Sequence, residues 1–264
     1  GDSSAADNTV HGITVGLGTG SVAGNTALGA YTLAGSNSGG GRNTAVGNSA
    51  LYTNTSGQYQ TATGYAALAL NTTGSYNSAF GYQALVNNTT ANGSTAVGYQ
   101  ALQANTTASS NTAVGYQSLY NNTVGANTAF GFHAGYANTT GYVNAFGYNA
   151  LGANTTGNSN AGFGDAALQS NTTGNYNSAF GYSALQSNTT ASNNTAVGYS
   201  ALYANTTGTP NDAFGYNALG NNTTGINNVG VGYTAGYTNT TGTQNTAIGS
   251  RAMYLNSTGG GITA

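Results

Sequence analysis

Polar and apolar residues repeat along this chain with a period close to 17. The marker is a glycine that follows a small residue and then an apolar one: Gly29, Gly47, Gly64, Gly81, Gly98, Gly115, Gly131, Gly147, Gly164, Gly181, Gly198, Gly215, Gly232 and Gly249. The intervals are 18, then 17 four times, 16 twice and 17 six times. Such a period marks one supersecondary unit stacked on copies of itself, because a unit this small cannot bury its apolar face alone. One coil reads N-T-A-[V/F]-G-Y-x-A-L-x-x-N-T-T-G-x-x, as in the run from Asn194 to Gly208. Its positions are numbered 1 to 17 from that first asparagine.

Position 4 holds Leu28, Val46, Thr63, Phe80, Val97, Val114, Phe130, Phe146, Phe163, Phe180, Val197, Phe214, Val231 and Ile248. Position 9 is leucine from Leu51 to Leu219, with Gly135 and Gly236 as exceptions. Two apolar columns per coil predict a thin core, with positions 4 and 9 both pointing inward. Positions 3 and 8 are almost always Ala or Gly, which suits a tight coil interior. The β-branched and aromatic T-A-[V/F]-G motif predicts a short strand, and N-T-T-G a corner after a second short strand. Glycine every few residues argues against helix, at about 1 kcal/mol each.

Parallel stacking at about 4.8 Å lines up identical residues as ladders. The reading is therefore all-β: a parallel β-solenoid of about 14 coils of 17 residues. Both 16-residue coils lose their residue between the corner glycine, Gly125 or Gly141, and the next A-F-G, where a loop absorbs it. Residues 1–24 fit the repeat poorly and read as an irregular entry coil or cap, although Ile13-Thr14-Val15-Gly16 resembles a degenerate strand. Residues 25–258 form the repeat domain and 259–264 a tail. From Met253 to Ala264 the last coil shows no helix or charge to blunt its edge and predicts a head-to-tail neighbour or a longer parent fibre.

Charge is nearly absent: Asp2, Asp7, Asp165, Asp212, Arg42 and Arg251 are all there is. With no lysine, the chain lacks the basic footprint that phosphate backbones or anionic lipid demand, so nucleic acid is excluded as a partner. No stretch approaches the roughly 20 apolar residues of a membrane helix, and membrane insertion is not expected. An uncharged surface of hydroxyls, amides and tyrosine favours self-association. Cysteine is absent, which removes disulfides and thiolate chemistry.

Asp165, Asp212 and His133 are too far apart along the coils for acid–base work, so no catalytic residue, metal site or cofactor is expected and the chain reads as a non-enzyme. The sharpest local signal is position 12. Asn54, Asn71, Asn88, Asn105, Asn138, Asn154, Asn171, Asn188, Asn205, Asn222, Asn239 and Asn256 all satisfy N-x-[S/T]. One reading is a glycan-bearing edge. The other is an asparagine ladder that closes each corner, which avoids the crowding of glycans on every coil. Position 6 stacks Tyr65, Tyr82, Tyr99, Tyr116, Tyr148, Tyr182, Tyr199, Tyr216 and Tyr233, a sugar-binding strip or a packing ladder. Ranks of threonine raise ice binding, but neighbouring strand residues face opposite ways, so one Thr column per face makes a poor lattice.

The runs Ala113-Val114-Gly115-Tyr116-Gln117-Ser118 and Ala247-Ile248-Gly249-Ser250-Arg251-Ala252 resemble the head repeat of trimeric autotransporter adhesins. The longer unit, over residues 25–258, is also similar to repeats of bacterial and phage-like tail-fibre-domain proteins. The resemblance implies a left-handed β-roll displayed outside the cell, or on a virion, and used for attachment as a trimer. The expected function is an extracellular structural fibre or surface adhesin segment. Its expected partners are further copies of itself, as a head-to-tail filament or homotrimer, and glycans. A carbohydrate- or ice-binding module is the alternative.

Overall fold

The computed structural model describes residues 8–10, 13–18, 22–35 and 40–264. The chain is a parallel β-solenoid with one short strand in each turn of about 17 residues, and no helix among the described residues. It falls into two compact units, Gly1–Thr128 and Ala129–Ala264. The first holds β1 (Asn8–Val10), β2 (Ile13–Gly16), β3 (Thr26–Gly29), β4 (Thr44–Val46), β5 (Thr61–Thr63), β6 (Ser78–Phe80), β7 (Thr95–Val97) and β8 (Thr112–Val114). From β3 onward each strand runs parallel to the next, in a register that sets Ala62 beside Ala79 and Phe80 beside Val97. β1 and β2 depart from the progression: they pair antiparallel, and β2 lies antiparallel on β3.

β9 (Thr128–Phe130) spans the division between the units. The second unit then holds β10 (Val143–Phe146), β11 (Asn160–Phe163), β12 (Ser178–Phe180), β13 (Thr195–Val197), β14 (Asn211–Phe214), β15 (Asn228–Val231) and β16 (Thr246–Ile248). All are parallel in chain order, Phe146 beside Phe163 and Ala179 beside Ala196.

Among the described residues the expected second strand of each coil is absent. Positions 6 to 11 are a run of tight turns, because positions 7 and 9 adopt left-handed backbone even where they are not glycine: Leu68, Leu85, Leu168 and Leu185 have φ near 50°. Each reversal sends successive N–H groups in different directions. Leu68 donates to Ala84 O in the following coil, and Asn71 donates back to Leu68 O in its own. Left-handed leucine costs on the order of 1 kcal/mol, so the stacked neighbours must hold it there. Position 5 requires glycine for a different reason. Gly147 has φ 136°, and a Cβ there would meet the Gly164 carbonyl at 2.5 Å.

The core differs from the expected one by a residue. Position 9 is inside, with Leu51 through Leu219 essentially inaccessible, and so are the alanines of positions 3 and 8. Position 4 is not. Phe80, Phe130, Phe180 and Phe214 are exposed, Phe180 at 42%, whereas Phe146 and Phe163 are half-buried. Strand neighbours alternate sides, so position 3 and position 4 cannot both face inward. Within a coil this narrow the inward place goes to the alanine.

Candidate functional site

Both repeated columns singled out in the sequence form ladders in the structure, but on opposite sides of the wall. The position-12 asparagines point into the coil. In the first unit Asn71 Nδ2 donates to Asn54 Oδ1 at 3.0 Å and Asn88 Nδ2 to Asn71 Oδ1 at 2.7 Å. In the second, Asn171 donates to Asn154 at 2.7 Å and Asn188 to Asn171 at 2.8 Å. The same Nδ2 also donates to the corner carbonyl three residues on, as Asn171 does to Gly174 O at 3.0 Å. Two donors of one amide are thus spent, one between coils and one within the corner.

A glycan would have to be joined at that nitrogen. Asn54, Asn71, Asn88, Asn105, Asn138, Asn154, Asn171, Asn188, Asn205, Asn222 and Asn239 are all buried, so the folded coils offer no glycan-bearing edge at these positions. Asn256 is half-buried and donates to Gly259 O. The ladder stops at Asn105, whose Oδ1 has no partner, where the next coil is one residue short.

Position 1 supplies a second internal amide column that the sequence reading left without a role. Asn177, Asn194, Asn211 and Asn228 each accept, at Oδ1, the backbone N–H one coil further on. The Nδ2 groups of Asn177, Asn211 and Asn228 return to corner carbonyls, as Asn211 does to Gly225 O at 2.8 Å, while that of Asn194 donates to Asn177 Oδ1. The signal was present in the consensus, since an asparagine next to an alanine that faces inward across a threonine must itself face inward.

Position 6 is the outer face. In the first unit Tyr65, Tyr82, Tyr99 and Tyr116 stack at ring-centroid distances of 5.2, 5.1 and 5.0 Å. In the second, Phe132 stacks on Tyr148 at 5.2 Å, and Tyr182, Tyr199, Tyr216 and Tyr233 follow at 5.1, 5.1 and 5.3 Å. All nine tyrosines are exposed, between 40% and 53%. Position 4 forms a further stack through Phe130, Phe146, Phe163 and Phe180. Near-parallel rings on successive coils face one another, so solvent meets mostly their edges.

Charged side chains are few in the second unit: Asp165, Arg251 and Asp212, the last half-buried at the outward position 2 of its strand. Asp165 occupies position 6 between Tyr148 and Tyr182, exposed, its carboxylate accepting the Tyr148 N–H at 3.0 Å. Arg251 is exposed at position 7 of the coil that begins with β16. His133, also at position 7, packs its ring against Phe132 and Tyr136, and burial holds its imidazole below the usual histidine pKa. In the first unit Arg42 donates to Tyr59 Oη at 2.9 Å and lies over that ring.

Between the position-6 tyrosines and position 10 runs a groove of about 550 Å³, walled by Tyr182, Tyr199 and Tyr216 on one side and Tyr203 and Tyr237 on the other. Ser183, Ser200 and Asn217 line it between them. The threonines divide their labour. At position 13 Thr72, Thr172 and Thr206 donate their hydroxyls to the next coil's carbonyl, leaving position 14, as at Thr73 and Thr173, as the solvent-facing column. Among the described residues no three His, Cys, Asp or Glu side chains gather as metal ligands would.

The chain matches no protein-family model, no curated protein and no solved structure.

Proposed function

We propose that this chain is a segment of an extracellular structural fibre or surface adhesin that self-associates and carries out no catalysis. One observation carries the reading: coil after coil leaves Tyr, Phe and Val in exposed, uncharged, continuous columns. Contiguous apolar rows of this kind mark interaction surfaces rather than bare solvent faces, and a net charge of −2 over 264 residues does little to hold copies apart. The internal amide columns supply the rigidity that a load-bearing or displayed element needs, since each coil is bonded to the next by side chain as well as backbone. Sedimentation and negative-stain imaging of the isolated chain test the reading. Association that grows with concentration in the micromolar range is expected, and a monomer throughout would overturn it.

The groove favours a second reading, as a carbohydrate-binding module. Its aromatic walls and its hydroxyl and amide lining resemble what a neutral sugar requires. The stacked rings count against it, because their faces are turned to one another. Titration with soluble neutral oligosaccharides, followed by tyrosine fluorescence, separates the two: binding to the monomer supports the module.

A further inference from the structure

We infer that the position-6 face of the second unit binds a second copy of the same face, antiparallel, around a two-fold axis that passes between Tyr199 and Tyr216. The inference rests on the self-association reading and names its surface. The face is bounded by opposite charges. Asp165 takes the place of a tyrosine at one end, and Arg251 stands five coils further on, with the four rungs Tyr182, Tyr199, Tyr216 and Tyr233 between them. At the usual strand spacing the two charges are about 24 Å apart along the stack.

Turn a second copy end for end on this face and the pattern becomes self-complementary. Tyr182 meets Tyr233 of the other copy and Tyr199 meets Tyr216, while each Asp165 lies opposite an Arg251. The sideways offset of one residue, from position 6 to position 7, is within the reach of an arginine side chain. Both positions line the same groove, so they belong to one face. An isologous contact satisfies both charge pairs at once and closes as a dimer, whereas a parallel contact satisfies one pair and leaves the other for a third copy.

Asp165 also offers more than charge. A missing ring at its level leaves Tyr148 and Tyr182 two coils apart with nothing stacked between them, a gap about twice the coil spacing. A guanidinium entering that gap meets a carboxylate flanked by aromatic rings, the setting in which arginine binds best.

The test is sedimentation of the whole chain and four variants: D165R, R251D, the double reversal D165R/R251D, and D165N, which keeps an acceptor for the Tyr148 N–H. The expected result is a dimer for the unaltered chain, weakened at least 10-fold in each single reversal and in D165N, and restored in the double reversal. Thermal midpoints should stay within a few degrees, because both side chains are exposed. If the chain associates but none of the variants alters its association, this face is not the contact and the self-association reading stands without it. Loss in the single reversals without recovery in the double one refutes the antiparallel pairing. A chain that remains monomeric overturns both readings.

Discussion

The position-12 asparagines and the position-6 tyrosines repeat at the same spacing and both stack on their own kind, yet one column is sealed in the coil and the other faces solvent. Repetition therefore reports what a residue lies above and below. It does not report which side of the wall it occupies. Side is set by local alternation and by the room inside, and on both counts asparagine and alanine displace the aromatic rings. The energetic roles differ accordingly. An internal amide leaves several buried groups short of a hydrogen bond when it is removed, whereas an outer ring loses only contacts with its two neighbours.

The largest effect should come from the element that keeps both columns at one spacing. In G147V the new side chain would collide with the backbone of Gly164, so the coil cannot close at its present height. Loss of the cooperative melting transition, or a fall of more than about 10 °C, is expected by circular dichroism, since each kcal/mol is worth about 2–4 °C at this size. Next is N171A, which strands an Asn188 donor and takes one bond each from Asn154 Oδ1 and the Gly174 carbonyl, leaving both with Asn160 Nδ2 alone. At about 1–3 kcal/mol for the unsatisfied donor and about 1 kcal/mol for each acceptor that loses a bond, a loss of about 3 kcal/mol or more should appear in chemical denaturation.

The pair L185A and F180A sharpens the comparison within one coil. Leu185 is fully buried and its truncation should cost about 2–5 kcal/mol. Phe180 is exposed and stacks only on Phe163, so its truncation should cost about 1 kcal/mol. Equal losses would mean that the outer phenylalanines carry core energy after all.

The smallest effect tests a residue that lies between the two environments. His133 faces outward but is packed by Phe132 and Tyr136, which keeps it neutral to lower pH than a free histidine. In the unfolded chain it takes up its proton first. Its contribution is therefore complete above the unfolded value of about 6.5 and is lost as the pH falls from there through the lowered folded value. A slight fall in thermal midpoint from pH 7.5 to pH 5, reduced in H133N, is expected.

Much of this was legible in the residues. The glycine marker gave the coil length, and the leucines of position 9 and the alanines of positions 3 and 8 were correctly read as interior. Placing the corners and the short T-A-[V/F] strand needed only turn and strand chemistry. What failed were inferences from size and from motif. Size and apolarity point Phe180 inward, although its neighbour Ala179 already holds the inward place. N-T-T was open to a glycan reading because the motif carries no information on which way the amide points. The run of turns around Leu185 was not foreseeable from propensity, since leucine is a poor choice for left-handed backbone and tolerates it here only under the coils it bonds to.

One feature of the ladder bears on how the chain finds its way to this structure. Within each unit every coil pairs with the next in the same register, so a coil that skipped its neighbour and bonded to the one after would find nearly the same partners. Such sequences risk many competing alignments of similar energy. The irregular places distinguish them. Asn138 follows Asn122 one residue early, Val143 stands where other coils place an amide, and Asp165 leaves a rung without a ring. An alignment displaced by one coil would set Asp165 over the wrong tyrosines and a 16-residue coil where one of 17 belongs. The defects in the repeat thus act as addresses, telling each coil its place in a series of near-identical ones.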